Sequence, residues 1–184
     1  FVACQGVPIT HQVLIYYAVS LAVIHTLEQY NVPKLAVKWP NDILSSNQKL
    51  CGVLVENVMY KDEIISSIIG IGLNVNQLNF SKSLKNVTSV KKQINKEVDL
   101  DDLLLKLINE LKIAISYITN TSTNVLKKNY LKKLYKKNTP TMFKNSEGVL
   151  FMGKITGVSS LGKIQIQLED DSIKEFGIKE VSFA

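Results

Sequence analysis

Two apolar runs, 50–58 and 64–75, are separated only by a polar turn at 60–63. Runs of that length joined so tightly fold back as an antiparallel hairpin. Side chains alternate across a strand. In the second run Ile69, Ile71, Leu73 and Val75 make a core face; Ile68, Gly70, Gly72, Asn74 and Asn76 make the other. Glycine inside a strand weakens it and often marks a close approach to the backbone. In the first run Lys49, Cys51, Val53 and Val55 alternate with Leu50, Gly52, Leu54 and Glu56. With the turn centred on Lys61–Asp62, Lys49 is expected opposite Asn74, Cys51 opposite Gly72 and Val53 opposite Gly70. A slip of one residue would flip these sets. The expected register makes a glycine floor edged by Lys49 and Asn74, suited to a flat or slender ligand with an anionic end. The competing reading is a glycine-softened strand packed beneath a helix. "GIGLNVN" is not a dinucleotide fingerprint, because the third glycine is missing and no helix opens there.

The rest of the chain supplies the surroundings. Residues 1–4 read as the end of a strand, broken by Gly6 and Pro8. Thr10 is placed to cap a helix that runs to Leu27, apolar nearly all round and therefore buried. Asn31 and Pro33 end it, and a short strand follows at 35–37. Trp39, Pro40, Asn41 and Asp42 and a polar loop then lead to Lys49. Lysine is rarely buried without a partner, so Lys49 needs either a counter-ion or a ligand. Residues 77–96 read as loop. Residues 100–118 have helical spacing, led by Asp99, Asp101 and Asp102, which suit a helix start; a further helix is expected over 124–137. Beyond Pro140 the texture changes to short strands between glycines, which suggests a small β-barrel of the SH3 type. The expected division is 1–137 and 138–184.

Composition narrows the function classes. The 184 residues are 46% hydrophobic and 21% charged, as in a globular protein. The longest apolar stretch, 13–24, is short for a membrane span, and no signal peptide is read. The two cysteines, Cys4 and Cys51, do not make a disulfide scaffold. These points lead to the expectation of a cytoplasmic protein. The net charge of +6 comes entirely from lysine, with no arginine. Nucleic-acid sites favour arginine for bidentate and stacked contacts, so a nucleic-acid partner is not the expected reading. His11 and His25 have no third ligand near them, and no metal site is read from the residues.

Three motifs together carry a resemblance: "KWPNDIL" at 38–44, "KLCGVLVE" at 49–56 and "GIGLNVN" at 70–76, with "NVTSV" at 86–90 as a fourth. In this order and spacing they resemble the biotin protein ligases, also called biotin–acetyl-CoA-carboxylase ligases. The resemblance implies an α+β catalytic domain related to class II aminoacyl-tRNA synthetases, with a mixed sheet and helices, followed by the SH3-like domain. It implies ATP, Mg2+ and biotin, the intermediate biotinyl-5′-AMP, and a lysine on a carboxylase's biotin carrier domain as acceptor. Residue by residue, it implies Lys49 at biotin's carboxylate and the phosphate, and Gly52 and Val53 along the biotin slot. Asp42 is implied in organising the adenylate and the incoming lysine, Lys38 and Asn41 on the nucleotide side, and Asn74 near the adenine. It leaves room for a homodimer. It also implies a glycine- and arginine-rich loop ahead of Phe1, so the 184 residues alone are expected to carry half a biotin site and little activity. Oxidation of Cys51 near the ligand is a further expectation.

Two rivals remain. A lipoate or octanoate ligase of the same superfamily shares a lysine–glycine strand, but "KWPND" with "KLCGVLVE" favours biotin. A non-catalytic, nucleic-acid-binding relative would bind with a steep salt dependence. Trp39 reads as packing rather than ligand stacking. Glu56 reads as exposed. Lys127, Lys128, Lys132, Lys133, Lys136 and Lys137 read first as a solvated helix face, and second as a docking surface for an acidic carrier.

Overall fold

The computed structural model describes residues 7–119 and 123–184; the expected strand at 1–4, with Cys4, lies outside them. Two five-stranded sheets form. The first has the order β1-β5-β4-β3-β2, from Val7–Pro8 (β1), Leu35–Lys38 (β2), Asp42–Ser45 (β3), Gln48–Tyr60 (β4) and Glu63–Leu73 (β5). Its ladders are antiparallel, and parallel bridges from Val37 to Leu134 and from Lys49 to Val87 give its margins a mixed character. The second has the order β10-β6-β7-β8-β9, from Pro140–Asn145 (β6), Leu150–Val158 (β7), Ile164–Gln167 (β8), Ile173–Phe176 (β9) and Val181–Phe183 (β10).

Helix α1, Gln12–Glu28, packs against the first sheet and is flanked by α3, Leu100–Thr119, and α4, Thr123–Lys133. Its apolar sequence buries twelve of its residues, from Leu14 to Leu27. With the 3-10 turn before it, the stretch Ile9–Glu28 is long and apolar enough to cross a membrane by length and composition, which corrects the shorter sequence estimate; here it is the central core helix. Thr10 does not cap α1: it sits inside the 3-10 turn, and His11 occupies the cap without a side-chain bond. The start of α3 is as expected, with the Asp99 carboxylate accepting from the N–H groups of Asp101 and Asp102 at 2.9 Å. Its residues Leu103, Leu107, Ala114 and Ile118 face inward.

Besides β1 and the 3-10 turn, which lie where Gly6 and Pro8 were expected to break the chain, two further elements were not expected. The segment after Asn41 is a true strand, β3, and residues Val90–Ile94 form a short helix, α2. Ser89 caps α2 by accepting from the Lys92 N–H at 3.2 Å, and Asn95 closes it in the left-handed region.

In the second sheet Phe143 lies among Phe151 and Phe183, with ring centroids 5.7 and 5.3 Å away, above buried Ile155, Ile164 and Ile166. Gly153 is needed for this packing: a Cβ there would collide with the Ile166 methyl and lie 3.2 Å from the Gln167 carbonyl oxygen. Gly153→Ala should therefore cost about 1–3 kcal/mol by overpacking, read as a lowered melting temperature. Among the described residues three hydrogen bonds link the two sheets, one between their loops and two through the segment after α4. The Trp39 indole N–H donates to the Gly162 carbonyl at 3.0 Å, the Tyr135 N–H to Val37 at 2.8 Å, and the Asn138 N–H to Ile155 at 2.8 Å. Trp39 is thus a packing residue, as its sequence context suggested.

Candidate active site

The hairpin forms, but its register differs from the expected one. Next to the turn, Tyr60 faces Glu63 and Met59 faces Ile64 as anticipated. A bulge then makes Ile65 the extra residue and shifts the ladder by one. Gly52 therefore faces Gly72 and Leu54 faces Gly70, whereas Cys51 faces Leu73 and Val53 faces Ile71. The glycines belong with Gly52 and Leu54, and Cys51 and Val53 turn to the core.

A second bulge decides where Lys49 points. On the β3 side Asp42 faces Gly52 and Ile43 faces Cys51, but Leu44 faces Lys49. Leu50 is the extra residue, fully buried. Without that bulge Lys49 would share the core face with Cys51 and Val53. With it, Lys49 turns onto the glycine face and the strand bends. The backbone of Lys49 is clamped there by the stretch "NVTSV". Its N–H donates to the Asn86 carbonyl at 2.7 Å, and its carbonyl accepts from Thr88 at 2.9 Å. Asn74 does not face Lys49; its side-chain N–H donates to the Thr88 carbonyl at 3.1 Å and secures that clamp.

On the glycine face the Lys49 ammonium lies 2.7 Å from the Asp42 carboxylate, the two side chains being 47% and 23% exposed. Gly52 borders both: a Cβ there would be 3.7 Å from Lys49 Nζ and 3.8 Å from Asp42 Oδ1. Asn41 holds the corner, its side-chain N–H donating to the Val53 carbonyl at 2.8 Å while its own carbonyl accepts from the Val53 N–H at 2.9 Å. Together they edge an open trough of about 590 Å³ whose floor is Gly52, Gly70 and Gly72, with Leu54 and Ile71 along it. Leu54 was missed in the sequence, although an exposed leucine two residues from Gly52 on the same face was a signal. At Gly70 and Gly72 an added Cβ would make only ordinary contacts, the nearest at 3.7 and 3.8 Å. The protein's own packing does not require glycine at either position.

Lys38 is not in the trough. Its ammonium lies over the Phe183 ring, 5.1 Å from the centroid, in a neighbouring cleft of about 250 Å³ that shares Asp42 with the trough. Cys51 does not line the trough either. Burial, and secondarily the Asp42 charge, push its thiol up to about 12, so the reactive thiolate is scarce and the expected oxidation near the ligand does not fit. His25 pairs with Glu110 at 3.6 Å, and no group of three metal-ligating side chains occurs among the described residues.

Residues 5–76 match the model of the Biotin/lipoate A/B protein ligase family. Over 83 residues the chain is 37% identical to the "Bifunctional ligase/repressor BirA" of Bacillus subtilis, covering 44% of this chain and 26% of that protein. The protein of the same description from Escherichia coli is 30% identical over 100 residues, 53% of this chain and 30% of that one. The matched segments thus span under a third of the curated relatives' lengths. The structure of the biotin protein ligase from Aquifex aeolicus in complex with biotin and ATP superposes with a TM-score of 0.76 at 27% identity, covering 95% of this chain and 72% of that one.

In residues 5–76 the chain is similar to the biotin/lipoate A/B protein ligase family, and over most of its length it shares the fold of a biotin protein ligase.

The likeness to the Aquifex aeolicus ligase extends over nearly the whole chain, second sheet included. A biotin protein ligase-like protein of unknown function from Silicibacter superposes as well, with a TM-score of 0.76, but at 10% identity it shows the fold alone. A shared fold does not by itself fix chemistry; the residues of the trough must.

Proposed function

We propose that this chain carries the reaction centre for ATP-dependent attachment of biotin to a lysine of a biotin carrier domain through biotinyl-5′-AMP. The observation that carries the reading is the Lys49–Asp42 pair set by a bulge over a glycine floor. Biotin is slender and largely apolar, with one carboxylate. Its body suits Gly52, Gly70, Gly72 and Leu54, and its carboxylate suits Lys49.

A biotin carboxylate oxygen attacks the α-phosphorus of ATP, the bond to the bridging oxygen breaks, and pyrophosphate leaves. Lys49 reduces the repulsion between carboxylate and phosphate and stabilises the charge that gathers on the phosphoryl oxygens. In the second step the acceptor lysine's amine attacks the acyl carbon of the adenylate, and AMP leaves. Asp42, held to Lys49 in the resting site, orients that ammonium and attracts the incoming lysine. Asn41 positions Asp42 against β4, Val53 borders the slot, Lys38 lies on the phosphate side of Asp42, and Asn74 acts through the Thr88 clamp as well as toward the adenine. Mg2+ fits as a companion of the nucleotide's phosphates, since the described residues offer no cage of their own. We assign residues 1–137 to the catalytic domain and 138–184 to an SH3-like domain, β10 and β9 being the two edges that a closed barrel would bring together.

The test is ATP–pyrophosphate exchange by the complete gene product, with biotin and lipoate supplied separately. Exchange with biotin alone is expected. Exchange with lipoate instead would keep the fold and overturn the substrate; exchange with neither would overturn the catalytic reading.

A further inference from the structure

The residues of the candidate site stand in one row across the first sheet. Gly72 faces Gly52, Gly52 faces Asp42, and Asp42 faces Lys38. Residues directly opposite on antiparallel strands share a face, so the row runs from the glycine floor over Asp42 to Lys38 at the sheet's margin. Opposite charges facing each other across a ladder attract, yet Asp42 is held by Lys49 and the Lys38 ammonium turns away from it. That ammonium lies 5.1 Å from the centroid of the Phe183 ring, and the Lys136 ammonium lies 5.9 Å from the same centroid. Lys136 is fixed beside β2, since the Tyr135 N–H donates to the Val37 carbonyl and the Lys136 carbonyl accepts from the Thr139 N–H at 3.1 Å. Lys179 lines the same cleft, whose volume is about 250 Å³. None of the three lysines has an ion-pair partner among the described residues. The one carboxylate lining the cleft among the described residues, Asp42, is already paired with Lys49. Like charges gathered without a counter-ion repel one another.

We propose that this cleft seats the pyrophosphate leaving group of the nucleotide, with Lys38, Lys136 and Lys179 holding its oxygens. This role rests on the proposed reaction and gives it a direction. In-line displacement places the attacking and leaving oxygens on opposite sides of the α-phosphorus. With biotin's body on the glycines and its carboxylate at Lys49, the leaving side is the far end of the row, past Asp42, where the lysines gather. The bond from the biotin oxygen to phosphorus forms as the bond from phosphorus to the bridging oxygen breaks. The electron pair stays on that oxygen, and the ammoniums neutralise the charge it brings. The cleft is small, and two of its cations are drawn to one ring, which suits a compact polyanion better than the face of a protein. The second sheet thereby takes part in the first step, through Lys179 and through the Phe183 ring that gathers Lys38 and Lys136.

Lys136→Gln and Lys179→Gln keep most of the side-chain stems and remove the charges. Inorganic pyrophosphate titrated into the ¹⁵N-labelled 184-residue chain should shift the amide cross-peaks of Ser182 and Phe183, which line the cleft, saturably. Sulfate at equal ionic strength should not. Each substitution should weaken pyrophosphate binding about tenfold by removing a charge-assisted contact. In the complete gene product each should raise the KM for pyrophosphate in biotin-dependent exchange about tenfold, with the KM for biotin and the melting temperature unchanged. No shift at millimolar pyrophosphate, an equal response to sulfate, or affinity and KM untouched by both substitutions would overturn the proposal. Exchange by the unsubstituted protein would leave the proposed function standing in each of those cases. Slower transfer to a carrier domain with an unchanged KM for pyrophosphate would give the lysines to the acceptor and overturn the proposal too. Absence of exchange by the unsubstituted protein would overturn the proposed function, and the leaving-group role with it.

Discussion

Lys49→Ala should lower biotin-dependent ATP–pyrophosphate exchange by about 10²–10³-fold, the loss typical of removing one electrostatic stabiliser from a reaction centre. The fold should survive. The Lys49–Asp42 contact is short at 2.7 Å, but the lysine side chain is nearly half exposed. An ion pair in that setting contributes only about 0–1 kcal/mol to stability. What holds Lys49 in place is its backbone, clamped by Asn86 and Thr88, and the Leu50 bulge, neither of which depends on its ammonium. Exchange and thermal melting measured on the same preparation separate the two effects. A large loss of exchange with an unchanged melting temperature places Lys49 in the chemistry. Unchanged exchange removes it from the mechanism. Asp42→Asn added to Lys49→Ala should cost less than the two single effects combined, because the residues act as one pair.

Much of this arrangement was legible in the residues. The hairpin, the buried first helix, the Asp99-led third helix and the packing role of Trp39 all follow from periodicity, capping and turn chemistry. What failed was the assumption of strict period two along β4 and β5. Ile65 and Leu50 each add one residue to a ladder, and neither is a glycine or otherwise marked. Bulges of that kind are fixed by the pairing of whole strands rather than by a local signal. Each bulge shifts the alternation by one, so for Lys49 and the two glycines of β5 the errors cancel. Those three do share a face, as expected. For Cys51 and Val53, which lie between the bulges, only one shift applies, and their side chains turn from the glycine face to the core, Val53 still bordering the trough. Strand β3 was missed because it is four residues long and directly follows Trp39-Pro40-Asn41, which reads as a turn. Helix α2 was missed because five residues give too little periodicity to recognise.

The glycine floor gives the second large effect, and it separates a glycine kept for a ligand from one kept for packing. Gly72→Val should weaken biotin binding by about 100-fold, near 2.7 kcal/mol, because its branched side chain would stand in the trough above the strand. The protein itself has room for it. A Cβ at Gly72 would meet nothing closer than the Gly52 carbonyl oxygen at 3.8 Å, and the position is exposed. Valine also favours extended backbone, and glycine in a strand interior costs about 0.5–1 kcal/mol. The melting temperature should therefore hold or rise as affinity falls, opposite to Gly153→Ala, where the collision is with the protein's own Ile166. Calorimetric titration with biotin beside a thermal melt reads both quantities. A lowered melting temperature would mean that Gly72 serves the fold. Full affinity with a raised melting temperature would mean that biotin does not lie on this floor. Only loss of affinity with stability retained fits a strand that gives up side chains, and some of its own stability, to leave space for a ligand.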